Sequence, residues 1–496
     1  MNIRGVLKLM SPALVVIGAA MVVSAGVSVY YNETPFPLLI GGGSSILAGI
    51  LFQLFTRKTL LQNLGIREGC AVVTFTWVLA ALFGALPFYF MGNFHPGLET
   101  SFTKSYYEIM SGLTTTGSSI FSDVEILPKG ILFWRSFSHW FGGMGIIVFA
   151  IAILPKLGFG GMQAMRMESA GPLKSDKLVP RIGETAKILY KVYLGVTIVM
   201  LLMLLIAGVG VFDSFIHTFG AVGTGGFSNY NRSVAGLNNI PAEYIIAFFM
   251  WLCGANFGLI YYAIAKRDIR TFWRDPEFKG YTAVTLIAIA LIAIGLYANN
   301  FNNWSIPDVI RYATFQVPTI MTTTGYATYD FVQWPVFPVT VLVMLLFVGG
   351  STGSTAGGLK ILRHMINIKS MKQEILKIVK PNLVTTVKVG DRPIEARIVS
   401  SVMVLSLIYF LTFTIGGFAL TAFGVDIVTA FSASIANLGN VGPGIGQVGP
   451  AGNYGFLHPT AIWVLSFLML LGRLEIFTVF ALFVPFVWKK RRVENE

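Results

Sequence analysis

The sequence predicts an all-α polytopic membrane protein: an N-terminal two-helix hairpin, then four pseudo-symmetric repeats, each a span, a short helix, a polar phrase and a second span, around one pore. Three observations carry that prediction. The 496 residues are 54% hydrophobic, 14% aromatic and only 12% charged, which leaves too little polar surface for a soluble globule. Apolar stretches of about 20 residues recur, the length an α-helix needs to cross hydrocarbon, without the period-two alternation of a membrane β-barrel. Finally, LTTTGSSIF from Leu113 returns as AVGTGGFS from Ala221, MTTTGYAT from Met321 and LGNVGPG from Leu438. Aligned on Gly117, Gly225, Gly325 and Gly442, the copies stand 108, 100 and 117 residues apart.

Residues 9–31 and 36–56 form the opening hairpin, with Pro35 and Pro37 punctuating its turn. Arg4 and Lys8 before an apolar run imitate a signal peptide. The run continues to about Tyr31, however, longer than the roughly 7 to 15 residues of a signal core, so it reads as a first span. The division is 1–68 for the hairpin, then 69–187, 188–279, 280–396 and 397–496 for the repeats. Their paired spans are 69–91 with 130–154, 188–211 with 243–264, 280–298 with one beginning at Val336, and 397–422 with 459–487.

Between the spans of each pair lies a shorter helix, Glu99 to Gly112 in the first repeat. In the other three, Asp213, Asp308 and Asp426 stand 12, 17 and 16 residues before the aligned glycine, where an acid favours a helix start. A helix of about 10 residues rises about 15 Å, half the hydrocarbon core. It would enter from outside and point the negative end of its dipole at the axis, where a cation is stabilised. Irregular backbone at that depth survives only if it is buried or lines a watery path. Glycine and threonine leave the chain free to turn carbonyls inward, and a carbonyl ring can replace the water around a potassium ion. The four phrases are therefore read as quarters of one selectivity filter. A single such phrase reads more naturally as a small-xxx-small packing motif; fourfold recurrence reverses that judgement.

Two features break the pattern. GGSTGSTAGG, Gly349 to Gly358, interrupts the second span of the third repeat, and five glycines make a poor helix interior. A packing kink is the plainer reading, but ten residues exceed what a kink needs. Arg473 lies inside the apolar stretch 459–487, where a charge costs at least about 2.5 kcal/mol and must face water, a partner or helix carbonyls. Glu475, two residues on, points elsewhere on a helix and is a poor partner for it. His139 and Asn256 read as interhelical hydrogen bonders, and Cys70 and Cys253 as packing residues.

Placed on alternate loops, 30 of the 36 Lys and Arg fall on one side: the N-terminus, 57–67, 156–191, 266–279, 360–397 and the C-terminal KKRR. That side is cytoplasmic by the positive-inside rule, and both termini with it. The net charge of +13 is thus a topology signal and a lipid contact, and no nucleic-acid partner is expected. The opposite face carries Lys104, Lys129, Arg135, Arg232 and Arg311 against ten acids, among them Glu33, Glu99, Glu108, Asp123 and Glu243, so a negative outer mouth would concentrate cations.

The four phrases, the broken stretch GGSTGSTAGGLK and the arginine in the last span together resemble the Trk/Ktr/HKT superfamily of potassium transporters over the whole chain. The extra hairpin resembles the TrkH-type membrane subunit of a bacterial potassium uptake system. The resemblance implies potassium as the transported ion and no organic cofactor. It implies Thr115 and Thr116, Gly223 and Thr224, Thr323 and Thr324, and Asn440 and Val441 as ion-coordinating filter residues, with Gly117, Gly225, Gly325 and Gly442 as filter glycines. It further implies a gate made by Gly349, Gly350, Gly353, Gly357 and Gly358 with Arg473. The expected setting is the bacterial inner membrane, as a homodimer with a cytosolic ring of nucleotide-binding (NAD- or ATP-sensing), TrkA-like subunits. Only one glycine per quarter is common to all four phrases, so a sodium-coupled or sodium-permeable transporter of the same fold stays open, as does symport. An enzyme is not expected: GSTGSTAGGLK lacks the GK[ST] ending of a nucleotide loop, and no HExxH occurs. Repeats running in one direction, with few acids in the spans, disfavour an alternating-access carrier.

Overall fold

The computed structural model describes residues 1–59, 65–98, 100–153, 182–382 and 386–484. Helices α1 (Ile3–Tyr30) and α2 (Phe36–Phe55) form the hairpin. They touch along small residues: Ser11 Oγ donates to the Gly49 carbonyl and Ser45 Oγ to that of Leu14, both at 2.8 Å, and a Cβ on Gly18 would stand 2.6 Å from the Gly42 carbonyl. Backbones that close need glycine or serine between them.

Next come α3 (Ile66–Gly84), α4 (Leu86–Met91), the short α5 (Phe102–Leu113) and α6 (Lys129–Ile153). They are followed by α7 (Ile182–Ile206), the short α8 (Val211–Gly223), α9 (Ile240–Cys253), α10 (Phe257–Lys266) and α11 (Arg270–Arg274). The third stretch holds α12 (Pro276–Ala298), the short α13 (Ile306–Met321), α14 (Val336–Leu345) and α15 (Ile361–Val379). A two-stranded antiparallel ribbon, β1 (Lys388–Val389) and β2 (Arg392–Pro393), precedes α16 (Ala396–Ala422), the short α17 (Ile427–Leu438), α18 (Pro459–Arg473) and α19 (Ile476–Phe480). Among the described residues, six helical stretches are long and apolar enough to cross a membrane: α1, α2, Arg67–Met91, Ala186–Ile206, α12 and α16.

The short helices start where their sequences direct. Asp426 caps α17 by accepting the Thr429 amide at 2.9 Å, while Asp213 and Asp308 lie in the first turns of α8 and α13. The first short helix begins at Phe102, capped by Ser101, and the expected start at Glu99 lies outside the described residues. So do the basic stretch 154–181 and the C-terminal KKRR.

The sequence reading expected one broken second span, and three occur among the described residues. The span expected over 243–264 bends by 98° between α9 and α10, and the one over 459–487 bends by 112° between α18 and α19. The first bend holds because neighbours take up its freed backbone groups. The Gly254 carbonyl accepts Ser351 N at 2.8 Å, Phe257 N donates to the Gly353 carbonyl at 3.0 Å, and Asn256, not an interhelical bonder, caps α10 through Gly258 N at 2.7 Å. At the second, Glu475 takes φ of 57° and pairs with Arg363 of α15.

Candidate functional site

Four short helices end in the same way. The residue two before the last glycine of each phrase is left-handed: Thr115 at φ 54°, Thr224 at 54°, Thr323 at 57° and Asn440 at 55°. Its amide donates three residues back, Thr115 to Gly112 at 3.1 Å, Thr224 to Ala221 at 3.1 Å, Thr323 to Ile320 at 3.0 Å and Asn440 to Asn437 at 3.2 Å. The next amide reaches five back, Thr116 to Ser111, Gly225 to Gly220, Thr324 to Thr319 and Val441 to Ala436, all between 2.7 and 2.8 Å. This helix cap normally puts glycine at the left-handed site, and a β-branched residue there carries about 1–3 kcal/mol of strain. Strain repeated at matched positions points to function. Because both amides turn back into the helix, the phrases are left with oxygens to present.

The four ends meet. A Cβ built on Gly117 would stand 2.0 Å from the Gly225 carbonyl oxygen, one on Gly226 1.9 Å from that of Thr324, one on Gly325 2.1 Å from that of Val441, and one on Gly442 2.4 Å from that of Thr116. First touches second, second third, third fourth, and fourth first, so the phrases close a ring in chain order. These glycines have φ of 81°, 80°, 82° and 95°; a left-handed backbone with no room for a side chain admits only glycine.

The ring corrects the register of the second phrase. The residue equivalent to Gly117, Gly325 and Gly442 is Gly226, not Gly225. Gly225 supplies the carbonyl that Thr116, Thr324 and Val441 supply elsewhere. Gly223 is the last residue of α8, and a Cβ there would meet the His139 carbonyl at 2.5 Å. Two adjacent glycines made the alignment ambiguous. The apolar residue opening each five-residue phrase, LTTTG, VGTGG, MTTTG and LGNVG at Leu113, Val222, Met321 and Leu438, would have resolved it.

Thr115, Thr116, Thr224, Thr323, Thr324 and Asn440 are fully buried. Asn440 Nδ2 donates to Thr116 Oγ1 and to the Met469 carbonyl, both at 3.0 Å, tying the fourth phrase to the first. Thr115 Oγ1 and Asn440 Oδ1 are buried acceptors that no donor among the described residues reaches.

The interruption at Gly349 to Gly358 packs directly on this ring. Gly357 N donates to Thr323 Oγ1 at 2.6 Å, and Thr355 Oγ1 to the Val222 carbonyl at 3.2 Å. A Cβ on Gly357 would stand 2.5 Å from the Gly439 carbonyl, one on Gly350 2.9 Å from that of Gly254, and Gly349, Gly353 and Gly358 have φ of 74°, 71° and 70°. Arg473 is buried at the end of α18; its NH1 donates to the Thr355 carbonyl at 2.8 Å and its NH2 to the Gly142 carbonyl at 2.7 Å. It therefore bonds backbone carbonyls of both the loop and α6.

Other polar groups here were not legible. Glu277, in the first turn of α12, is buried and takes Thr352 of the loop by both its amide and its hydroxyl, each at 2.6 Å. Glu108 and Glu243, counted above among outer acids, are instead buried against Arg135 at 2.5 Å and Arg311 at 3.0 Å. His139 behaves as read: Nε2 accepts Phe227 N at 3.2 Å, so Nδ1 carries the proton it donates to the Gly112 carbonyl at 2.8 Å.

With this geometry in hand, similarity to known proteins is informative. The family described as "TrkH: Cation transport protein" matches residues 41–490. The chain is 40% identical to the Trk system potassium uptake protein TrkH of Salmonella typhimurium over 424 residues, 86% of each protein. It is 36% identical to the protein of the same name from Escherichia coli K12 over 99% of this chain and 100% of that one. The crystal structure of the potassium transporter TrkH from Vibrio parahaemolyticus superposes with a TM-score of 0.88 at 33% identity, covering 99% of this chain and 100% of that one. The chain is a multi-pass membrane protein and belongs to the TrkH family of cation transport proteins.

Proposed function

We propose that this chain carries potassium into the cell through a single pore whose filter is the ring of four phrases, each contributed by one of four repeats after an N-terminal hairpin. The observation that carries this reading is the cyclic contact of Gly117, Gly226, Gly325 and Gly442 with the neighbouring carbonyls. Oxygens at the inner end of such a ring, including the undonated Thr115 Oγ1 and Asn440 Oδ1, replace hydration water around a cation, and the four converging helix C-termini favour positive charge. In this reading the ion-facing residues are Thr115, Thr116, Thr224, Gly225, Thr323, Thr324, Asn440 and Val441, and the loop at Gly349 to Gly358 with Arg473 is the gate beneath them.

The relatives' potassium uptake names support the choice of ion. Their Trk system membership supports a cytosolic regulatory partner; that this partner binds nucleotide, and that the chain works as a homodimer in the inner membrane, follow in this reading from the family resemblance. An interior potential of −100 mV gives each cation about 2.3 kcal/mol, enough for about fifty-fold accumulation without ATP. The test is rubidium flux into vesicles carrying the purified protein. Gly325→Ser, whose side chain would enter the Val441 carbonyl, abolishes discrimination of potassium and rubidium from sodium. Unchanged discrimination rejects the filter.

A further inference from the structure

Against the segments that leave the first two phrases lies a buried ion pair. Glu108, midway along α5, is fully buried, and its Oε1 stands 2.5 Å from Nε of Arg135 on α6, itself 3% exposed. The carboxylate is also a socket for the chain leaving the first phrase: Oε2 accepts Ile120 N at 2.8 Å and Oε1 accepts Ser119 Oγ at 3.0 Å. The guanidinium reaches the second phrase, where NH1 donates to the Ser228 carbonyl at 2.8 Å and Cζ lies 3.7 Å from the centre of the Phe227 ring. Ser119 is two residues past Gly117, and Ser228 two past Gly226. One ion pair thus grips the same point of two adjacent quarters.

The corrected register shows that this grip is uneven around the ring. Nine residues before Gly117, Gly226, Gly325 and Gly442 stand Glu108, His217, Gln316 and Ala433. His217 Nε2 meets Ser228 Oγ at 3.1 Å, Gln316 Nε2 donates to the Tyr326 carbonyl at 3.4 Å, and Ala433 has no polar side chain to offer. At this position the backing fades from an ion pair to none, and the fourth phrase is held elsewhere, by Tyr454 OH donating to the Gly442 carbonyl at 2.7 Å.

We propose that Glu108 and Arg135 are positioning residues for discrimination among alkali cations, fixing the separation of the first and second phrases. The proposal rests on the filter reading above. A carbonyl ring discriminates by the number, spacing and field of its oxygens, so the stiffness of its backing matters. A buried ion pair whose remaining groups are hydrogen-bonded contributes little net stability but does fix geometry. Arginine's planar fork lets one side chain hold the carboxylate and the Ser228 carbonyl together, which a lysine point charge does not.

The experiment uses full-length protein in vesicles, reading the rubidium-over-sodium uptake preference alongside the melting temperature. Glu108→Gln and Arg135→Met each lower the preference about tenfold or more, and Arg135→Lys falls between these and the unaltered protein. The double variant Glu108→Gln with Arg135→Met regains melting temperature, since no charge is left unpaired, but not preference. A preference unchanged in folded single variants, or restored in the double variant, overturns the proposal. Should these fail to fold, Ser119→Ala removes one carboxylate contact and still lowers the preference about threefold; no change there also overturns it. Loss of discrimination in Gly325→Ser without loss in these variants rejects the ion pair alone, while unchanged discrimination in Gly325→Ser rejects the filter on which it rests.

Discussion

Threonine is a poor choice for a left-handed helix cap, yet Thr115, Thr224 and Thr323 all occupy one. Glycine would remove the strain and with it the hydroxyl, which at Thr323 receives Gly357 N and at Thr115 stays free of donors among the described residues. The adjoining glycines are constrained from the other direction. Gly226→Ala would drive a methyl group to 1.9 Å from the Thr324 oxygen. We expect it to cost at least tenfold in rubidium-over-sodium preference, about 1.4 kcal/mol, in competition flux assays. Arg473 joins the loop to α6 through two carbonyls. Arg473→Met removes both donors and a buried positive charge, and rubidium uptake rises several-fold, read as initial rate in vesicles.

The helices place these residues by ending, and the loop by refusing to be helical. Asp426 starts α17, and the Thr429 amide holds its carboxyl below the usual carboxylate range. A lowered value means that the cap's contribution is present above the ordinary carboxylate pKa and is lost as pH falls through the lowered one. Asp426→Ala should cost about 1 kcal/mol, seen as a lower melting temperature at pH 7 and a smaller difference in strong acid. At the loop, Glu277 clamps Thr352 twice. Thr352→Val removes one of those bonds, and shortening Gly349 to Gly358 removes the contacts with Thr323 and Val222. Both changes raise basal flux in proteoliposomes, and no increase after shortening would remove the loop's role as gate. The phrases and the glycine interruption were visible as departures from apolar patterning. The bends after Cys253 and Arg473 were not, because each is marked in the sequence only by an isolated polar residue, Asn256 or Glu475, and the freed backbone groups at the first are satisfied by a distant segment.

The distribution of Lys and Arg predicts an orientation for the whole chain, and labelling of the described loops tests it directly. A cysteine at Asp330, in the loop after the third phrase, should react with an impermeant maleimide from outside intact cells. One at Lys372 on α15 should react only after permeabilisation; the reverse pattern would invert the topology. The outer acidic excess is carried by fewer groups than a sequence count indicates, since Glu108 and Glu243 are neutralised in buried pairs. Each such pair removes one charge of either sign, so the expected excess of acids on that face is unchanged, and uptake at low potassium should fall as inert salt screens it.

Composition and spacing alone determined that the chain lives in a membrane, that four related phrases punctuate it, and that its third quarter is interrupted, because hydrophobic length and glycine content are local properties. Only the tertiary structure decided which glycines stand level, that Glu475 answers Arg363, and that Glu108 and Arg135, counted by sequence on the outer face, form a buried pair. Those facts depend on contacts between different helices and phrases, most of them far apart in sequence, and no local pattern encodes which carbonyl a missing Cβ must clear.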